Sequence, residues 1–194
     1  MNGTKTDTYR VNEIFYSLQG EGWWTGTPAV FVRLAGCNLR CPFCDTDFSH
    51  AEAWSLEELV AEALRLSSGC RHLVLTGGEP SLQVDDAFVQ AFHWAGFSLH
   101  IETNGTHPLP EGIDWVTLSP KEDWQPQGTV VLEKADELKL VYTGQDVQRW
   151  LSFPADHYFL QPCSGENTKE VVRYVLDHPR WSLSLQTHKI LDIR

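Results

Sequence analysis

No stretch of this chain stays apolar for the ~20 residues that a membrane-spanning helix needs. Its opening, "MNGTKTDTYRVNEIFYS", has no apolar segment of the kind an export signal carries. The expectation is a chain that stays in the cytoplasm and binds no membrane. Basic residues are also scarce: 15 Lys and Arg stand against 26 Asp and Glu, for a net charge of −11. Lys and Arg form no block, so the basic stripe that phosphate neutralisation requires is missing, and with it the case for a nucleic-acid partner. There is no internal repeat, no low-complexity tract and no Gly/Ser-rich linker. At 194 residues the chain is read as a single domain over 1–194. Cysteines number only five. A reducing compartment disfavours disulfides and directs them towards metal binding or catalysis.

What is present is a regular alternation of strand and helix. Residues 1–7 read as a frayed end. "AVFVRLA" (Ala29–Ala35) reads as a strand running directly into a cysteine-bearing loop. "SLEELVAEALRLSSG" reads as a helix: Ser55 and Glu58 form a capping box, Leu56, Leu59, Val60, Ala63 and Leu64 form the apolar face, and Gly69 ends it. "VDDAFVQAFHWAG", closed by Gly96, and "NTKEVVRYVLDHP", stopped by Pro179, are further helices. "HLVLTGGEP", "FSLHIETNG", "WVTLSP", "ELKLVYTG", "HYFLQPC" and "SLSLQTH" read as strands. Such alternation predicts a mostly parallel sheet with right-handed crossovers. The weak periodicity from Pro110 to Ala135 predicts that some helices are absent. The fold class expected is therefore α/β, a shortened, incomplete (β/α) barrel. Ligands of such folds bind at the carboxyl ends of the strands. The chemically distinctive residues fall at those ends: Cys37, Thr76–Glu79, Glu102–Asn104, Ser119–Lys121, Gln161–Ser164 and Gln186–His188.

The loop "GCNLRCPFCDTDFSH" holds three of the five cysteines, Cys37, Cys41 and Cys44, spaced CxxxCxxC. Thiolates suit zinc, copper(I) or iron–sulfur clusters. Spacing alone leaves two sites open. One is a closed zinc module, its fourth ligand being His50, Cys70 or Cys163. The other is a 4Fe–4S cubane held by three thiolates, with one iron left to an outside ligand.

The same loop resembles the hallmark of the radical S-adenosylmethionine (SAM) superfamily, whose open iron is chelated by SAM. "TGGEP" after the next strand is similar to the superfamily's glycine-rich SAM motif. The flanks are more specific. "SLQGEG", "CDTDF", "IETNG", "SPK", "ELKLV", "FLQP" and "LQTHK" occur in the order found in the 7-carboxy-7-deazaguanine synthases. That resemblance implies a cytoplasmic homodimeric lyase of queuosine and 7-deazapurine biosynthesis. It would convert 6-carboxy-5,6,7,8-tetrahydropterin to 7-carboxy-7-deazaguanine with loss of ammonia. It would use a 4Fe–4S cluster, SAM and Mg²⁺, with an external electron donor such as flavodoxin. Other short radical SAM enzymes, such as glycyl-radical activating enzymes, share the cysteine pattern but have no reason to keep "SLQGEG" or "LQTHK".

The resemblance also assigns residues. Cys37, Cys41 and Cys44 would hold the cluster and Thr46 would bind Mg²⁺, with Asp45 and Asp47 left as loop carboxylates. Phe43, Gly78, Glu79, Glu102, Asn104, Ser119, Pro120, Lys121, Gln161, Pro162, Cys163 and Ser164 would line the SAM cleft. Leu18, Gln19, Gly20, Glu21, Arg33, Thr76 and His188 would meet the pterin, with His188 a candidate proton shuttle. Arg194 stands where the family often closes on a small residue or proline, so its contact with substrate is an expectation peculiar to this chain.

Overall fold

The computed structural model describes residues 8–47 and 50–194, so the stretch read as a frayed end lies outside the described residues. The strands are β1 (Tyr9–Leu18), β2 (Pro28–Leu34), β3 (Glu52–Trp54), β4 (His72–Gly77), β5 (Ser98–Thr103), β6 (Trp115–Leu118), β7 (Ala135–Tyr142), β8 (Ala155–Pro162) and β9 (Ser182–Leu183). The α-helices are α1 (Leu56–Leu66), α2 (Asp86–Trp94), α3 (Thr168–Asp177) and α4 (Thr187–Leu191). They build one sheet in the order β3-β1-β2-β4-β5-β6-β7-β8-β9. From β2 to β9 every pairing is parallel, while β1 runs antiparallel to both of its neighbours. The sheet does not close on itself, which is the incomplete barrel expected. None of the described helices is long and apolar enough to cross a membrane.

Local sequence accounts for the helices. Ser55 accepts from the Glu58 amide while the Glu58 carboxylate accepts from the Ser55 amide, giving α1 the reciprocal cap. Asp85 caps α2 through the Phe88 amide. Gly96 then leaves the helix at φ 82°, a left-handed turn that costs other residues strain. Leu59 and Ala63 of α1 and Phe88, Val89 and Phe92 of α2 pack against Val32, Leu34, Leu73, Leu75, Leu99 and Ile101. Truncating a buried aromatic such as Phe88 to alanine would cost about 3–5 kcal/mol. A second cluster joins Leu138, Leu140 and Leu160 to Val171 and Trp181. Leu64, placed on the apolar face from its spacing, is instead 43% exposed at the margin of that face.

Three elements differ from expectation. β1 escapes a period-two reading because its register shifts between Val11 and Glu13. β3 is only three residues long. "SLSLQTH" yields a two-residue strand and then enters α4. Between Pro110 and Ala135 the chain forms β6 and no helix, as expected.

The concave face of the sheet is closed below by the turn joining β1 and β2. Trp24 from this turn packs on His72, His100 and Trp115, with ring centroids 5.2, 5.0 and 5.4 Å away. Trp23 stacks on His157 at 3.9 Å. These partners belong to the amino-terminal halves of their strands. The opposite end, where the strands finish, remains open.

Candidate active site

The cysteine loop leaves β2 and is pressed against the turn that follows β4. A Cβ at Gly78 would lie 1.9 Å from the Gly36 carbonyl oxygen, and one at Gly77 2.2 Å from that of Leu34. Only glycine permits this approach. It is sealed by Gly78 N–H to Leu34 O (3.0 Å) and Glu79 N–H to Gly36 O (2.9 Å). Cys37, Cys41 and Cys44 are free thiols. Burial pushes the Cys37 and Cys41 thiols above their ordinary range. The half-buried Lys121 ammonium lies near both, opposing the rise at Cys41, and donates to Ser119 O and Oγ at 2.5 and 2.7 Å. Its own pKa is pushed down, chiefly by burial.

The surroundings of the three cysteines bear on the two sites that spacing left open. Among the described residues, no three His, Cys, Asp or Glu side chains converge on one ion. A zinc module needs four donors about a single point. Thiolates that each take a different iron of a cubane need no such convergence. His50 faces Glu52 at 3.5 Å, and Cys70 donates to Pro28 O at the amino-terminal end of the sheet. Neither joins the three cysteines, whereas Cys163, the third candidate, lines the same cavity as they do. Three free thiols of one loop, all on the wall of a cavity, suit a cluster that leaves one iron to an outside ligand.

Two polar assemblies complete the site. Glu79, 1% exposed, accepts from Ser81 N–H and Oγ–H, Thr103 Oγ–H and Asn104 N–H, so its carboxylate ties the end of β4 to the end of β5. The other assembly centres on Lys139 of β7. Its ammonium donates to Glu21 at 2.6 Å and Glu102 at 3.3 Å. Gln19 donates to Glu102 (3.0 Å), and Gln186 donates to Glu21 (3.0 Å) and to Asp45 (3.2 Å). Lys189 reaches the same Asp45 oxygen at 2.5 Å. Burial alone would raise the Glu21 carboxyl, but Lys139, Gln186 and His188 hold it below the ordinary value. Lys139 is raised well above its own, the three neighbouring carboxylates outweighing its burial.

On the near wall, Arg33 donates to Glu13 at 2.8 Å, and Arg194 pairs with the other oxygen of the same carboxylate. Both guanidiniums lie over Phe15, 5.8 and 5.3 Å from its centroid. His188 packs against Gly20, where a Cβ would come within 2.2 Å of the imidazole Nδ1.

A single cavity of about 700 Å³ joins these parts. Every site residue expected from the sequence lines it except Pro120, which is buried without reaching the wall. Glu79 and Asn104 line it while spending much of their hydrogen-bonding capacity on neighbours. Sequence reasoning missed Glu13, Phe15, Lys139 and Lys189, all on the wall. The signal for Lys139 was available: it alternates with Leu138 and Leu140, a charge on the inner face of a strand otherwise built for burial.

Residues 31–122 match the family model described as the Radical SAM superfamily. The chain is 53% identical to the 7-carboxy-7-deazaguanine synthase of Bacteroides thetaiotaomicron over 95% of this chain and 98% of that protein. It is 44% identical to the synthase of Bordetella pertussis, over 95% and 99% respectively. The crystal structure of QueE from Escherichia coli superposes with a TM-score of 0.78 at 32% identity, covering 92% of this chain and 94% of that one. The chain belongs to the 7-carboxy-7-deazaguanine synthase family. Membership of this radical SAM family brings SAM and a 4Fe–4S cluster as cofactors, and the cysteine loop is where this family member has the donors to hold one.

Proposed function

We propose that this chain is a single-domain radical SAM lyase that converts 6-carboxy-5,6,7,8-tetrahydropterin to 7-carboxy-7-deazaguanine with loss of ammonia. It works in the cytoplasm as a homodimer, takes electrons from an external donor such as flavodoxin, and uses Mg²⁺. One observation carries the reading: the "LQGE" segment (Leu18–Glu21), Arg33 and His188 line the same cavity as the three cysteines. Substrate and cofactor subsites thus share one volume, as a reaction at their junction demands.

Cys37, Cys41 and Cys44 would hold the cluster, which, when bound with SAM, supplies a radical able to remove hydrogen from an unactivated carbon. Gly78, Glu79, Glu102, Asn104, Ser119, Lys121 and Gln161–Ser164 shape the SAM side, with Phe43 beside it. Gln19 and Glu21 offer the amide and carboxylate edges that a pterin ring pairs with. Arg33, with Arg194 beyond it, brings guanidinium to the substrate carboxylate, where bidentate pairing is strongest. Phe15 and Phe31 give the flat ring an apolar wall. Thr46 would be the protein's oxygen on Mg²⁺. One hydroxyl is a weak ligand, so substrate oxygens and water complete the shell, as is usual for this ion. His188, against Gly20, is placed to accept or return a proton.

Anaerobic incubation of reconstituted protein with the carboxypterin, SAM and a reductant, followed by mass analysis, is the test. The deazaguanine product is expected. Its absence, with SAM still cleaved, would return the chain to the wider radical SAM group, including the glycyl-radical activating enzymes.

A further inference from the structure

Lys139 is the most deeply buried cation of the cavity wall, with 6% of its side chain exposed, against 14% for Glu21 and 25% for Glu102. The ammonium thus stands behind two carboxylates that face the cavity. They come from distant places, the β1–β2 turn and the end of β5. Their outer oxygens are held by Gln186 and Gln19, so each carboxylate is fixed from two sides. The other cation nearby, the half-buried Lys121, turns to Ser119 instead.

We propose that Lys139 is a positioning residue of the reaction: its ammonium binds Glu21, on the substrate side, and Glu102, on the cofactor side, into one ion-paired unit that sets the two subsites relative to each other. The inference rests on the subsite reading above. It does not need Lys139 to touch either ligand. Two carboxylates this close in a desolvated wall repel one another and favour protonation unless a cation lies between them. A protonated Glu21 would offer a donor where the substrate is to meet an acceptor. Other charges face the cluster as well. Glu137 lies two residues along β7, Lys121 approaches from the loop after β6, and His188 approaches Glu21 from α4. None of these replaces the direct contacts at 2.6 and 3.3 Å.

The test compares wild type, Lys139→Met and Lys139→Arg as full-length reconstituted proteins, over a range of pH. Two readouts are followed, turnover and denaturant unfolding. For Lys139→Met, kcat is expected to fall about 100-fold, the scale of breaking a buried ion pair. The acid limb of its pH profile should move up by about one unit, because Glu21, freed of its cation, holds its proton longer. Lys139→Arg should keep the limb at the wild-type position, whatever its kcat. In unfolding, the deficit of Lys139→Met should grow as pH rises from 5 to 8. A limb that does not move, or that moves equally in both variants, overturns the proposal. Should Lys139→Met not fold at neutral pH, folding of Lys139→Met/Glu21→Gln/Glu102→Gln under the same conditions supports it, and equal failure of both chains overturns it. If wild type makes no deazaguanine, the functional reading fails on its own, and the unfolding series still decides whether Lys139 keeps Glu21 ionised.

Discussion

Asn104, at the end of β5, donates through Nδ2 to the side-chain oxygen of Asn38 on the cysteine loop over 3.1 Å. Asn38 in turn donates to Thr106 Oγ1 at 2.8 Å, and that hydroxyl donates to Asn104 Oδ1 at 2.7 Å. The three side chains form a closed ring. Because the backbone N–H of Asn104 donates to Glu79, the ring transmits the position of the β4 and β5 ends to the loop carrying the thiols. The described residues of the cysteine loop form no helix or strand, so their geometry is borrowed from the sheet.

Asn104→Ala should therefore loosen the loop without unfolding the domain. Losing the hydrogen bonds of one part-buried amide costs about 1–3 kcal/mol. The expected result is a several-fold faster loss of cluster absorbance when a chelator is added to anaerobically reconstituted protein. Bleaching at the wild-type rate would show that the ring does not govern the loop.

Removing a thiol is a sharper change. Cys41→Ala should lower the bound iron and abolish reductive SAM cleavage, since no fourth cysteine of the loop can replace it. Iron analysis and assay of 5′-deoxyadenosine check this. Continued cleavage would mean that the ligand assignment is wrong.

Sequence gave strong access to this site because its chemistry sits where strands end. Glycine turns, cysteine spacing and short polar motifs all lie at those ends, and the parallel topology then brings them together. What escaped reading lay within the strands. Lys139 and Glu137 alternate with leucines, and a period-two pattern says which residues share a face but not which face encloses a cavity. Glu13 was hidden for a related reason, since the register shift after Val11 broke the alternation of β1. Trp23 and Trp24 carry no periodic signal, and only the folded sheet shows them closing its lower end.

Thr46→Ala tests the metal. Thr46 lines the cavity beside Asp45, whose carboxylate is occupied by Lys189 and Gln186 and held below the ordinary range despite its burial. The expected outcome is a weaker rate response to added Mg²⁺, with SAM cleavage in the absence of substrate retained. A titration of rate against Mg²⁺ that overlays wild type would remove Thr46 from the metal site.

Glu137 makes a prediction about pH and stability. It is 2% exposed, and its Oε2 accepts from the Trp23 amide while Oε1 has no partner among the described residues. Burial, outweighing the help of Lys139, pushes its carboxyl up to about 6 from an ordinary 4.5. A carboxyl raised on folding contributes stability that is complete below the unfolded value of about 4.5 and is lost as pH rises through about 6. The loss is about 2 kcal/mol for a shift of this size. Glu137→Gln keeps the shape and removes the titration. The stability of wild type minus that of Glu137→Gln should therefore fall by about 2 kcal/mol from acid to neutral pH. Urea unfolding of both chains on either side of the window measures it. His100, pushed down to about 4 chiefly by burial, works in the opposite sense, gaining stability as pH rises towards 6.5, but it is common to both chains and cancels in the difference. A difference that stays flat across the window would mean that the Glu137 carboxyl ionises as easily folded as unfolded, which its buried, unpartnered oxygen does not allow.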